Sequence, residues 1–302
     1  MLKNKIDVFE FPTNLGLRKK ENESEPDVKE MPVWLATHGL YSKLNIDKIV
    51  SLPAFPYSLD FDIKKSILNE KQVINFAKKQ ANILDNQWHI PSFKLIIGGD
   101  CSVLIGTGLS LNKNGTFGLF FLDGHTDFIT PELSKTGGIA GMDLALVTGH
   151  GEKSLTNISG LKPYFEEENV FCVGNRELED SYVEPILNSK INYFDLHDIR
   201  QSGVKQISKS FLNMVKKQAM DGFIIHLDVD VINDELMPAV DSREKGGLNY
   251  QELFELLNPL VHHSLCIGME ITILDPSLDK TGKVTKNFIE FLSNLIAAEF
   301  NN

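Results

Sequence analysis

For 302 residues, size scaling gives roughly 12,800 Å² of folded surface against roughly 49,000 Å² unfolded, so about three quarters can be buried without disulfide staples. The balance of 30 Lys+Arg against 41 Asp+Glu, a net charge of −11, argues against a nucleic-acid or anionic-membrane surface, which needs clustered cations, and suits a cationic ligand. Hydrophobic residues make up 42% of the chain but never run unbroken for the roughly 18 positions of a membrane span.

In chain order, the opening MLKNKIDVFEF carries no apolar h-region or small-residue cleavage site, so a cytoplasmic protein is expected. Its KIDVFEF (5–11) reads as a strand, and the charged LRKKENESEPDVKE (17–30) as a mobile surface loop or a lid. MPVWLATHGL (31–40) and residues 63–84 read as helices. Strand-length apolar runs follow at FKLIIGG (93–99), TFGLFFLD (116–123), NVFCVGN (169–175), INYFDL (191–196), FIIHLDVD (223–230) and SLCIGMEIT (264–272). Helical spacing falls between or after them at 206–220, 250–261 and 286–298. Strand alternating with helix predicts an α/β fold: a mainly parallel sheet with helices on both faces, in one domain over residues 1–302. Ligands are then expected beyond the carboxyl ends of the strands. Cys101, Cys172 and Cys266 are odd in number and far apart, which gives no disulfide framework. Cys172 and Cys266 sit in apolar runs and read as inert core thiols.

Chemistry concentrates at two strand ends. Leu122-Asp123-Gly124-His125-Thr126-Asp127 places three potential metal ligands within five residues of a buried strand, although an Asx turn with a helix cap would use the same residue types. His226, Asp228 and Asp230 alternate with Leu227, Val229 and Val231, so period-2 geometry puts them on one strand face. Unpaired buried carboxylates are too costly to leave bare, so a cation is required nearby. Four aspartates and one histidine suit two hard divalent ions about 3.5–4 Å apart with shared carboxylates, Mn²⁺ being the natural choice, and the implied chemistry is hydrolysis. His226 reads as a satisfied core histidine outside the ligand set, and His150, His262 and His263 as surface residues. Gly98-Gly99-Asp100-Cys101-Ser102 forms a tight strand-to-helix turn whose end could face the metals, while Asp100 could equally cap the helix. Gly174-Asn175-Arg176-Glu177 superficially suggests a metallophosphoesterase, but GGD comes before Asp-x-His here, the reverse of that order, and arginine cannot ligate.

Taken in order, GGDCS (98–102), LDGHTD (122–127), VGNRELED (173–180), LDVDVIND (227–234), MPAVDSREKGGL (237–248) and EITILDPSLD (270–279), with PTNLGLR (12–18), resemble the ureohydrolase family of arginases, agmatinases and formiminoglutamases across nearly the whole chain. The resemblance implies a three-layer αβα sandwich and a binuclear manganese centre whose bridging hydroxide attacks a guanidinium carbon. It implies Asp123 and Asp228 as bridging ligands, Asp127 with Cys101 completing one site, and His125 with Asp230 the other. Asp127 would also pass a proton to the leaving amine, and Glu179 is a candidate substrate contact. A small cationic guanidino-type substrate and a homo-oligomer, trimer or hexamer, are the implied partners. The chain departs from the family at Cys101 and Ala140, where histidines are expected, at Ile273 for a guanidinium-pairing glutamate, at Ile129 for an asparagine, and at Asn233-Asp234 for Asp-Pro. A thiolate at 101 favours Zn²⁺ or Fe²⁺ over Mn²⁺, or Cys101 is a buried thiol that ligates nothing. Glu270 points to the opposite face from Ile273 by strand parity. Two functions follow: a metal-dependent C–N hydrolase of a guanidino, amidine or formimino compound, or a catalytically silent binding or regulatory protein.

Overall fold

The computed structural model describes residues 5–21, 23–177 and 179–297. Position 22 of the polar stretch, 178 of VGNRELED and 298 of the last expected helix lie outside them. The strands are β1 Ile6–Glu10, β2 Ile46–Ser51, β3 Phe61–Asp62, β4 Ile67–Leu68, β5 Phe93–Ile97, β6 Phe117–Leu122, β7 Val170–Val173, β8 Asn192–Phe194, β9 Gly222–Asp228 and β10 Cys266–Thr272. The α-helices are α1 Met31–Thr37, α2 Leu40–Lys43, α3 Glu70–Leu84, α4 Val103–Asn112, α5 Asp143–Val147, α6 Lys153–Thr156, α7 Asp180–Leu187, α8 Leu196–Ser202, α9 Val204–Lys217, α10 Tyr250–Val261 and α11 Lys283–Ala297.

Eight strands form one sheet in the order β2-β1-β5-β10-β9-β6-β7-β8, and every neighbouring pair in it is parallel. Side-chain alternation divides the apolar residues between two cores. Phe120, Leu122, Phe223, Ile225, Leu227, Met269 and Ile271 face one layer with α1, α2 and α8 to α11. Leu119, Phe121, Ile224 and Ile96 face the other with α3 to α7. Strands covered on both faces read as unbroken apolar runs, which is why the central five were legible. The result is the expected αβα sandwich. Among the described residues no helix is long and apolar enough to cross a membrane.

Three expectations need correction. The helix expected over 63–84 begins only at Glu70, because Ser66 and Asn69 take φ of 56° and 55°, values no right-handed helix admits, and a short hairpin of β3 and β4 occupies the difference. Strand β2, a half-exposed edge strand of pattern IDKIVS, was not anticipated, since the exposed Asp47 and the half-buried Lys48 break the apolar run. Asp230 is not on the strand face: β9 stops at Asp228, and Val229–Val231 turn as a 3-10 helix whose cap is the Asp228 carboxylate accepting from Asp230 N–H.

Candidate metal centre

The sheet order sets the site. Adjacent strands β5, β10, β9, β6 and β7 end side by side, so Cys101, Ile273, Asp228, Asp123 and Arg176 follow from neighbouring carboxyl ends. The turn after β5 is held against the chain start: Asp100 N–H donates to Thr13 O at 3.0 Å, and Asp100 Oδ2 accepts from Gly16 N–H at 3.0 Å. At Gly99 a Cβ would collide with the Thr13 carbonyl, so this close approach needs glycine.

Asp123, Asp228 and Asp230 are buried, and His125 and Asp127 are partly open to a cavity of about 280 Å³. Asp123 belongs to two ligand groups whose donor atoms all lie within 4.8 Å of one another: with His125 and Asp230, and with Cys101 and Asp228. His125 Nδ1 is 2.9 Å from Asp230 Oδ2 and 3.5 Å from Asp123 Oδ1. The loops are stitched by Gly124 N–H donating to Asp230 Oδ1 at 2.9 Å and Asp230 N–H to Asp228 Oδ1 at 2.8 Å. Arg176 aims its guanidinium at main-chain oxygens, those of Asp230 at 2.8 Å and Glu244 at 3.1 Å. The Cys101 thiol donates to Asp228 Oδ2 at 2.9 Å.

The electrostatics show crowded negative charge. Burial, then Asp230, pushes the Asp123 carboxyl up to about 7. Burial and neighbouring carboxylates raise Asp127 and Asp228 well above the carboxylate range, and burial raises the Cys101 thiol. For His125 burial opposes the charge but Asp230 and Asp123 outweigh it, holding the imidazole far above its ordinary value. Burial likewise opposes ionisation of Asp230, yet His125, Gly124 N–H and Arg176 keep it low. The second oxygen of Asp123, Oδ2, is buried with no hydrogen-bond partner. An orphaned carboxylate oxygen among oxygen and imidazole donors fits a hard divalent cation; the sulfur of Cys101 is the one soft donor.

Of the residues anticipated from sequence, Asp123, His125, Asp127, Asp228, Asp230 and Cys101 converge on the cavity or its wall. Glu179 stays at the surface, paired with Lys135 at 3.2 Å. Ile129, Ala140 and Ile273, three of the departures noted above, line the same cavity as Cys101. Ile273 lies beyond β10 with φ 77° and donates its N–H to Gly99 O at 2.8 Å. Strand parity therefore does not relate it to Glu270, which faces His226 across β9 and β10. Sequence reasoning passed over Asp143, a fully buried carboxylate whose oxygens accept no hydrogen bond. Its one signal was an acidic residue inside the otherwise apolar stretch GGIAGMDLALV.

The chain belongs to the arginase family, which it matches over residues 26–296. It is 27% identical over 297 residues to an arginase of Staphylococcus aureus (strain COL), covering 95% of each chain. Among solved structures, the arginase from Bacillus subtilis subsp. subtilis str. 168 superposes with a TM-score of 0.85 at 25% identity, covering 98% of this chain and 99% of that one. The formimidoylglutamase from Bacillus subtilis subsp. subtilis str. 168 superposes with a TM-score of 0.70 at 19% identity, covering 97% and 86%, and shows the shared fold alone. By homology the protein is an arginase-family hydrolase acting on C–N bonds other than peptide bonds.

Proposed function

We propose that the protein hydrolyses a C–N bond in a guanidino, amidine or formimino compound, in the cytoplasm, using two Mn²⁺ ions held by Asp123, His125, Asp127, Asp228 and Asp230. The observation that carries this reading is Asp123, common to two buried ligand groups and left with an unpartnered oxygen. When bound, the ions supply Lewis-acid activation of water. The remaining work falls to the chain's own groups. Asp127 opens on the cavity, and its carboxyl, raised by burial and by Asp123, is suited to take a proton and return it to the leaving amine. Hydrogen bonds from Gly124 and Asp230 N–H to neighbouring carboxylates hold those carboxylates in fixed orientations. Asp127, Glu177, Asp228 and Asp230 on the cavity wall favour a cationic group, while Ile129, Ala140 and Ile273 offer an apolar contact in place of an ionic one. The substrate is therefore a small cation with a compact apolar body, different from arginine, and the working form is a homo-oligomer.

The experiment is metal analysis of the purified protein, followed by assay of urea, formamide and ammonia release from a panel of guanidino, amidine and formimino compounds. Metal-dependent turnover that Asp127→Asn lowers by roughly 10²–10⁴-fold is expected. Protein that binds no metal at these residues sinks the reading. The second reading, a silent member that binds a ligand or regulates a partner, is favoured by the clustering of Cys101, Ala140 and Ile273 in one cavity; it expects no turnover with any member of the panel.

A further inference from the structure

Behind the carboxylates, toward α3 to α7, lies a second cluster of donors. Cys101, Asp143 and His226 are all fully buried, and one donor atom from each lies within 4.8 Å of the others. His226 is held by its ring face and by Nδ1. Its ring stacks on Phe121 with centroids 4.9 Å apart and an interplanar angle of 5°, and its Nδ1 lies 2.8 Å from Glu270 Oε1. Gln80 Nε2 donates to Thr107 Oγ1 at 3.0 Å, and the Thr107 hydroxyl in turn donates to Glu270 Oε2. Glu270 is thus engaged at both oxygens, and its contact with Nδ1 fixes the His226 ring with Nε2 turned away from it.

That Nε2 faces a carboxylate. His226 Nε2 is 3.9 Å from Asp143 Oδ2, too long for a hydrogen bond. Nε2 and both oxygens of Asp143 are buried without any hydrogen-bond partner. Buried nitrogen and oxygen atoms without partners are costly, and a cation between them would satisfy all three. Two ligands each about 2.0–2.1 Å from one tetrahedral ion stand roughly 3.4 Å apart, so a separation of this order accommodates an ion with a small inward shift.

We propose that Cys101, Asp143 and His226 form a further metal site, a three-ligand seat for Zn²⁺ with an open fourth position, in which Glu270 is the positioning residue for His226. A sulfur, an imidazole and a carboxylate are the donors zinc takes, and a carboxylate on the far ring nitrogen is the usual support of a ligating histidine. On binding, the Cys101 thiol gives up its proton to solvent and its sulfur leaves the hydrogen bond to Asp228; nothing is oxidised or reduced. The site stands apart from the proposed hydrolysis and draws Cys101 away from the Asp123 group.

The test is titration of metal-free protein with Co²⁺ alone and with Zn²⁺ alone, reading the thiolate-to-cobalt charge-transfer absorption and the zinc stoichiometry. The band is expected in the wild-type chain, absent in Cys101→Ser, Asp143→Asn and His226→Gln, and retained in Asp123→Asn. Glu270→Gln is expected to weaken binding roughly 10–100-fold. A band that survives Asp143→Asn and His226→Gln but disappears in Asp123→Asn would place Cys101 in the Asp123 group and overturn the proposal, as would the absence of any thiolate band. If the Asp143 and His226 variants do not fold, judged by circular dichroism, survival or loss of the band in Asp123→Asn decides alone. Because the readout needs no turnover, its failure is distinct from failure of the proposed activity.

Discussion

Stripping the metal from this protein should make its stability fall as pH rises. The Asp123 carboxyl goes from 3.8 in a free chain to about 7 in the fold. The folded state therefore binds this proton more tightly than the unfolded state, and the stability tied to it is lost between those two pH values. At about 1.4 kcal/mol per pH unit the full window is worth roughly 4 kcal/mol, an upper value for this one buried group. Asp230, Asp234 and Glu252 are held below their ordinary values. Their stabilisation is gained as pH rises and is complete by about pH 5, which leaves Asp123 roughly 3 kcal/mol over pH 5 to 7, against which His263, whose imidazole burial holds below its ordinary value, works in the opposite sense. With an unfolding entropy of about 2.1 cal/mol/K per residue, a chain this long shifts its Tm by roughly 1.6 °C per kcal/mol, or about 5 °C across that range. Asp127, Asp143 and Asp228 are raised too, so their contributions have the same sign in this range, whereas that of the raised Cys101 thiol is lost only above its ordinary value of 9.0. The assay is thermal unfolding in chelator from pH 5 to 7.5, beside Asp123→Asn and beside protein loaded with Mn²⁺. Asp123→Asn should flatten the slope, and metal, which competes with protons for the same oxygens, should flatten or reverse it. A metal-free protein whose Tm is level or rises over pH 5 to 7 would refute the reasoning, since it would mean that these carboxylates are not crowded.

Other perturbations probe the scaffold. Phe120 is fully buried, packed edge-on to Phe211 at 5.0 Å and stacked near Phe171 at 6.4 Å; Phe120→Ala should cost about 3–5 kcal/mol in urea unfolding with metal stoichiometry kept. Gly99→Ala drives a methyl into the Thr13 carbonyl, and because Gly99 O holds Ile273 N–H, it should lose on the order of 3 kcal/mol and also alter ligand affinity in the cavity. Glu179→Ala removes an exposed ion pair with Lys135 and should leave Tm unchanged; a large fall in kcat/KM in that variant would bring Glu179 back as a substrate contact.

What the sequence made legible follows from burial. The five central strands are apolar on both faces, so each announces itself, and the helices between them force parallel pairing. Polar residues at the ends of such strands stand out against the apolar run, and Asp123, His125 and Asp228 were visible for that reason. Edge strand β2 was not, because half of it faces water and carries Asp47 and Lys48. Asp230 comes beside Asp228 from a 3-10 turn that Asp228 caps, so the period-2 alternation that groups the two in the sequence has no bearing on it. Asp143 and the Glu270–His226 pair were out of reach because their meaning lies in contacts between α5, β9 and β10. A lone histidine in a strand reads as core until its missing partner is seen.

Four of the five departures from the family, Cys101, Ile129, Ala140 and Ile273, border one cavity, while Asn233-Asp234 lies in the loop after β9, where Asp234 pairs with Arg243. Ile273 holds φ 77°, where a β-branched side chain is strained by on the order of 1–3 kcal/mol. The Gly99 carbonyl at 2.8 Å fixes that backbone from below. Replacing a charged side chain there by isoleucine removes an ionic contact but leaves the strained turn in place, so the turn itself serves the cavity's shape. The same cavity keeps the carboxylates of Asp127, Asp228 and Asp230, whose charge would hold hard cations, beside the apolar Ile129, Ala140 and Ile273. Loss of function would have released the costly buried carboxylates first, because each destabilises the fold once no cation is held. Retention of Asp123, His125, Asp127, Asp228 and Asp230 therefore weighs toward a working hydrolase with altered specificity over a silent relic.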